Sequence, residues 1–240
     1  MDRVALTIGV VDATRSESLS HRLNWLRAGV LGANDGIVST AGLVFGVAGA
    51  TTDSVALLIA GLAGMVAGAL SMAGGEYVSV SSQKDSELAA LRRQEHELAS
   101  DPEGKLRQLA DHYSERGLSP ELAEQVAREL SEHAALDAHA QVFLNLEAGD
   151  HVSPWSAARA SLVAFLAGSV IPLLAIVLTP LGVRLPFTVT AVLLALVVTG
   201  FVSARLGGAR PGRAIVRNVV VGSLAMGLTY AVGWLVGQQL

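Results

Sequence analysis

The sequence predicts an all-α, polytopic membrane protein, with five transmembrane helices and a cytosolic three-helix insert between the second and the third. Three observations carry that prediction. Hydrophobic residues make up 51% of the chain and charged residues only 16%, where a soluble domain keeps about 25% charged to cover its surface. The shortfall is local: both ends of the chain are apolar, while the stretch from Lys84 to Asp150 has the mixed composition of a soluble protein. Finally, lysine and arginine fall where a single membrane orientation would put them.

Residues 1–22 are polar and mixed. They lack the apolar core and small-residue cleavage site of a signal peptide, and read as a cytosolic tail. Five apolar stretches follow, near or above the roughly 20 residues a helix needs to cross about 30 Å of hydrocarbon. They are Trp25–Ala50, Val55–Val80, Ser156–Leu178, Pro186–Arg205 and Ile215–Gly237. Thr51 to Ser54 make a tight link between the first two, Pro180 to Pro186 separate the third and fourth, and Gly207 to Gly212 the fourth and fifth. Pro172 predicts a kink in the third span, and Asn218 a bridge between helices. Arg3, Arg15, Arg22 and Arg27 precede the first span. Lys84, Arg92, Arg93 and Lys105 lie in the insert, Arg159 opens the third span, and Arg205, Arg210, Arg213 and Arg217 flank the last connection. The opposite loops carry only Asp53 and Arg184. Five spans therefore put every basic cluster on one side, the cytosolic one by the positive-inside rule.

Within residues 84–152 the apolar period of Leu88, Leu91 and Leu98 extends the second span as a helix. Asp101-Pro102 begins another, proline being tolerated in a first helical turn. It runs to Arg116 and stops at Gly117. Ser119 caps a third helix that ends near Asn145 to Gly149. Glu87, Glu95, His96, Glu97, Asp101 and Glu103 concentrate here, and Glu129, His133 and Asp137 recur at i, i+4, i+8 on one helical face. Carboxylate and imidazole suit first-row divalent metals, although mixed charges on helices are usually a solvated face. The absence of cysteine removes disulfides and thiolate sites. A net charge of −4 argues against a nucleic-acid partner.

Asp35 lies inside the first span, within Gly32-Ala33-Asn34-Asp35-Gly36. A carboxylate at that depth costs about 2.5–3.5 kcal/mol, so it is expected to face a partner or a watery path. Asn34 and the flanking glycines predict a locally exposed, polar stretch of backbone. Met72 and Glu76 are one turn apart in the second span, beside a stripe of Gly61, Gly64, Gly68 and Gly75 that permits close helix contact. A thioether beside a carboxylate suits a borderline metal such as Fe²⁺. Asp35, Met72 and Glu76, with Asn34, are the candidate ion path.

Two long segments carry a resemblance: Gly32-Ala33-Asn34-Asp35-Gly36-Ile37-Val38-Ser39-Thr40 and Ala67-Gly68-Ala69-Leu70-Ser71-Met72-Ala73-Gly74-Gly75-Glu76-Tyr77-Val78-Ser79. With Asp101-Pro102-Glu103 and Arg116-Gly117-Leu118, they make the chain resemble the vacuolar iron transporter family from Leu23 to the last span. The resemblance implies a homodimer with the ion path between subunits, and proton-coupled export of Fe²⁺, or Mn²⁺ in related members, from the cytosol. Asp35 and Met72 would stand in the path. The metal is then cargo; no permanently bound cofactor and no enzymatic activity are expected. The absence of a targeting segment is compatible with a bacterial inner membrane.

In the family the insert gathers metal on two Glu-x-x-Glu pairs, which here read Gln94-x-x-Glu97 and Lys105-x-x-Gln108. A later family glutamate aligns near Leu146 and Glu147. Vacuolar members carry an acid in the second span where this chain has Gly64, and Glu76 offers a substitute. The remaining insert ligands are Glu97, Glu95, Glu103 and His96. Two other functions remain open. One is a membrane-anchored, ferroxidase-like metal-binding module, although the Glu-x-x-His spacing of helical di-iron sites is missing. The other is a transporter fold that has lost high-affinity metal binding.

Overall fold

The computed structural model describes residues 2–146 and 153–239, with side chains from Trp25 onward. Its elements are α1 (Asp2–Ala50), α2 (Ser54–Ser100), α3 (Pro102–Glu115), α4 (Pro120–His139), a π-helical turn (Ala140–Leu144), α5 (Pro154–Leu178), a 3-10 turn (Leu181–Val183), α6 (Arg184–Leu206) and α7 (Pro211–Gly237). No strand occurs among the described residues. Five segments are long and apolar enough to cross a membrane: Trp25–Ala50, Ser54–Ser100, Pro154–Leu178, Leu181–Leu206 and Pro211–Gly237. All five expected spans are therefore helical. The segment read as a polar tail falls in the first part of α1, and its side chains lie outside the described residues. Pro172 is accommodated inside α5, which continues to Leu178.

The chain divides into two units, Met1–Ser79 with Val152–Leu240, and Val80–His151. α2 contributes to both. In the first, α1 packs against α5, α6 and α7 around a core that includes Ile37, Val44, Phe45, Ile176, Val192, Leu196 and Met226. Lipid offers apolar side chains no reward for leaving it, so close backbone packing must hold such a bundle together. Glycine makes that packing possible. A Cβ on Gly32 would come within 2.7 Å of the Ser161 carbonyl, and Cβ atoms on Gly36 and Gly168 would overlap the Phe165 and Ala33 carbonyls. This corrects the expectation of an exposed polar backbone around Asp35. Gly32 and Gly36 are buried against α5, and they serve helix contact rather than solvent access.

α2 meets this bundle differently. Its glycines receive side chains: Leu173 over Gly61, Leu43 over Gly64 and the Phe165 ring over Gly68, while Gly75 has open space beside it. Val55, Ile59, Leu62, Val66 and Leu70 remain exposed along α2, and their three- and four-residue spacing makes one stripe.

Arg184 is more than a loop charge. It is only 6% exposed, and its guanidinium donates to the Thr52 carbonyl at 3.1 Å, Ser54 Oγ at 2.6 Å and the Thr179 carbonyl at 3.3 Å. It thereby ties the α1–α2 link to the α5–α6 link. Arg184→Met keeps the apolar stem but orphans these acceptors, so it should cost about 1–3 kcal/mol. A fall in the thermal unfolding midpoint of the detergent-solubilised protein would register that loss, and an unchanged midpoint would show the tie to be dispensable.

In the second unit α3 and α4 form a helical hairpin. Asp101 caps α3 by accepting from the Gly104 N–H at 2.9 Å, and Ser119 Oγ accepts from the Leu122 N–H at 3.4 Å. Between them Gly117 takes a positive φ of 105°, a conformation that favours glycine. Leu109, Ala127 and Ala138 are the buried centre, with Leu106, Tyr113, Leu130 and Val142 packed around them. α4 passes into the π-helical turn and ends at Asn145, which is left-handed at φ 54°. The rest of the expected helix end, from 147 to 149, lies outside the described residues.

His139 is fully buried, with neither ring nitrogen hydrogen-bonded, and its ring lies 5.3 Å from that of Phe143. Burial, and secondarily repulsion from Lys105, hold its pKa below the ordinary 6.5. The unfolded chain therefore binds the proton more readily. Stability from a neutral His139 is complete above about pH 6.5 and is lost as pH falls through the folded value. Amide exchange at Leu109 and Ala138, corrected for intrinsic rates, should accelerate between pH 7.5 and 5.5. His139→Phe should remove that acceleration.

Candidate ion path in the helical bundle

α1, α2 and α5 line a half-open cavity of about 350 Å³ whose lining includes Asp35, Ser39, Thr40, Met72, Glu76 and Phe165. Helical spacing explains the assembly. On α1, Asp35 and Ser39 are one turn apart. On α2, Gly64, Gly68, Met72 and Glu76 follow at steps of four, so all face one side. The glycines leave space at one end of the stripe, and the longer side chains furnish the other. The Phe165 ring, 1% exposed, fills the notch at Gly68. The volume exceeds that of a single water, about 30 Å³ of liquid, by enough for an ion and part of its hydration shell.

The polar groups here are under-used. Among the described residues the Asp35 carboxylate has no ion-pair or hydrogen-bond partner; Ser39 Oγ donates instead to the Asp35 backbone carbonyl, at 2.6 Å. Thr40 Oγ1 is buried without a partner. Glu76, its side chain 13% exposed, lies 3.6 Å from the guanidinium of Arg27, which is 65% exposed. Two carboxylates, a thioether and hydroxyls around one cavity are a donor set that first-row divalent cations accept. Asn34 does not line this cavity. It lines a second one, between α1, α6 and α7, together with Arg27, Arg217 and Asn218. Sequence reasoning missed Ser39, Thr40 and Phe165. The i, i+4 step from Asp35 pointed to Ser39, but nothing local marks Phe165, which arrives from a distant helix.

The insert ligands are not drawn together. Glu95, His96, Glu97 and Glu103 are exposed, and Glu97 is paired with the Lys105 ammonium. The Lys105 hydrogen bond and charge hold the Glu97 pKa below the ordinary carboxylate value. Glu103 lies 4.0 Å from Arg107. The one-face reading of Glu129, His133 and Asp137 needs correction. Ala134 departs from helical backbone at φ −160°, ψ 67°, which breaks the register between His133 and Asp137. His133 Nδ1 lies 3.0 Å from the Glu129 carbonyl. Among the described residues no three His, Asp or Glu side chains converge to hold a metal ion. Among the described residues, Glu95, His96, Glu97 and Glu103 thus form no metal-holding cluster within one chain. Glu147 lies outside the described residues.

Fold and cavity together define a multi-pass membrane bundle with an acidic, thioether-bearing cavity among its helices. The VIT family model matches residues 26–234, and the chain belongs to that family. It is 42% identical over 232 residues to the vacuolar iron transporter of Acanthamoeba castellanii, covering 94% of this chain and 84% of the relative. It is 37% identical over 221 residues to vacuolar iron transporter homolog 4 of Arabidopsis thaliana (92% and 88% covered). To vacuolar iron transporter homolog 5 of Oryza sativa subsp. japonica it is 39% identical over 213 residues (88% and 80% covered).

Proposed function

We propose that the chain is a membrane transporter that carries Fe²⁺ or Mn²⁺ out of the cytosol in exchange for protons, through the cavity holding Asp35, Met72 and Glu76. The observation that carries this reading is the Asp35 carboxylate, without a partner among the described residues, lining the same cavity as a thioether and a second carboxylate. The names of the relatives supply iron as the ion. A carboxylate at membrane depth is tolerated when it binds a cation or a proton, and alternation between the two couples the fluxes. The Met72 sulfur favours borderline metals over Mg²⁺ and Ca²⁺, which take oxygen ligands. Arg27 offers Glu76 a counter-charge while no metal is bound.

The positive-inside rule puts the arginine-bearing end of the bundle, and the insert, on the cytosolic side. The exposed stripe of α2 lies on the helix face turned away from the cavity-lining Gly64, Gly68, Met72 and Glu76, and it fits a second copy of the chain in a homodimer. Lys105 competes with a metal ion for Glu97, so this reading assigns transport to the membrane cavity and none of it to the insert.

Proteoliposomes with a trapped fluorescent metal reporter test this reading. Fe²⁺ or Mn²⁺ should enter, faster with an opposing proton gradient. Glu97→Ala should change the rate by no more than about twofold, because an exposed ion pair contributes little. If no metal enters under any gradient, the transport reading fails, and loss of metal binding becomes the better account.

A further inference from the structure

The second cavity, about 610 Å³ between α1, α6 and α7, has chemistry of the opposite sign. We propose that it binds the phosphate and hydroxyl-bearing headgroup of an anionic phospholipid. Its polar lining comes from Arg27, Asn34, Ser203, Arg217 and Asn218. Among the described residues no carboxylate lines it, although Glu76 of the first cavity lies 3.6 Å from Arg27; guanidinium, amide and hydroxyl groups are the donors that hold phosphate oxygens. Among the described residues Arg217 has no ion pair, and Asn218 no hydrogen bond. Asn34 Oδ1 is buried without a partner. An acceptor left unsatisfied is costly, and a phosphodiester alone has no proton to offer it. A headgroup hydroxyl does. The ligand therefore combines an anion with a hydroxyl donor, as a phosphoglycerol headgroup does.

Position separates a lipid from a free anion. Arg27 and Arg217 lie near the ends of apolar spans, and Val30 and Leu206 wall the same space. A lipid can set its phosphate among the arginines while its acyl chains stay in hydrocarbon. The surroundings add an electrostatic reason, because Arg205, Arg210 and Arg213 crowd the adjoining α6–α7 connection. Each basic residue near a membrane surface gains from anionic lipid. This inference does not depend on the transport reading.

Native mass spectrometry of the purified full chain, exchanged into micelles containing phosphatidylglycerol and phosphatidylcholine with the same acyl chains, tests it. Wild type should retain phosphatidylglycerol with about tenfold preference, as expected for a charge-assisted contact. Arg217→Gln should remove most of that preference, and Arg217→Lys should keep part of it. Arg213→Gln, at the same end but outside the cavity, should keep most of it, losing only the smaller contribution of a charge near the membrane surface. Asn34→Leu should weaken retention of phosphatidylglycerol but not of phosphatidylmethanol, which lacks the headgroup hydroxyl. Gel filtration shows which variants remain folded. Equal retention of the two lipids overturns the proposal, as does a loss in Arg213→Gln matching that in Arg217→Gln. Displacement of phosphatidylglycerol by millimolar inorganic phosphate would overturn the lipid as occupant in favour of a free anion.

Discussion

Asp35→Asn is expected to reduce divalent-metal flux about a hundredfold or more while leaving the bundle folded. The asparagine has the same shape and fills the same part of the cavity, so neighbouring packing is undisturbed. What is lost is the negative charge. Removing one partner of a desolvated charge pair costs about 3–5 kcal/mol, and each 1.4 kcal/mol is tenfold in affinity. A neutral amide also avoids the cost of holding a carboxylate at membrane depth. Thermal stability of the purified variant should therefore match or exceed that of the wild type. Flux is measured as initial rates in proteoliposomes of equal protein content. A rate within about threefold of wild type would remove Asp35 from the ligand set, because so small a change is under 1 kcal/mol.

The second large effect concerns packing. Gly36→Ala should destabilise the protein by about 2–3 kcal/mol, the range of an overpacked core. The added Cβ would meet the Phe165 carbonyl, which belongs to a helix backbone and cannot rotate away. Separating α1 from α5 would also stretch the 3.2 Å hydrogen bond that Ser169 Oγ donates to the Gly36 carbonyl. Gly74→Ala is the control, because nothing lies within 4 Å of a Cβ there. In a helix that change is worth up to about 1 kcal/mol in the stabilising direction. Opposite shifts of the unfolding midpoint in detergent would support the packing role of Gly36. A neutral Gly36→Ala would mean that α1 and α5 can part without loss.

These two residues show what the sequence made legible. Apolar length located all five spans, because the hydrocarbon thickness sets a minimum that few soluble segments reach. Met72 and Glu76 were readable as one face because helical spacing is local. Asp35 was conspicuous through its cost in lipid. Gly36, by contrast, looked like polar exposed backbone beside Asn34 and Asp35, and only the approach of α5 shows it to be a contact. Asn34 and Asp35 are adjacent in sequence, yet a step of one residue turns about 100° around the helix, and the two line different cavities. Arg184 read as a loop charge because its acceptors, Thr52 and Ser54, are more than a hundred residues away. In the insert, the i, i+4, i+8 spacing presumed unbroken helix, which Ala134 interrupts. Long-range contacts and local breaks of helix were the parts that spacing alone could not deliver.

The chain has no cysteine, so a single thiol placed in the cavity reports on that place alone. The most direct test of metal passage through the Asp35 cavity is the labelling rate of Met72→Cys by a small water-soluble thiol reagent in proteoliposomes, with and without Mn²⁺. Asp35 and Glu76 still offer the carboxylate oxygens that suit Mn²⁺, so the ion should occupy the site. Labelling should slow as Mn²⁺ rises, over the same concentrations that saturate flux. Flux that saturates while the thiol labels at an unchanged rate would contradict the account and place the path elsewhere in the bundle.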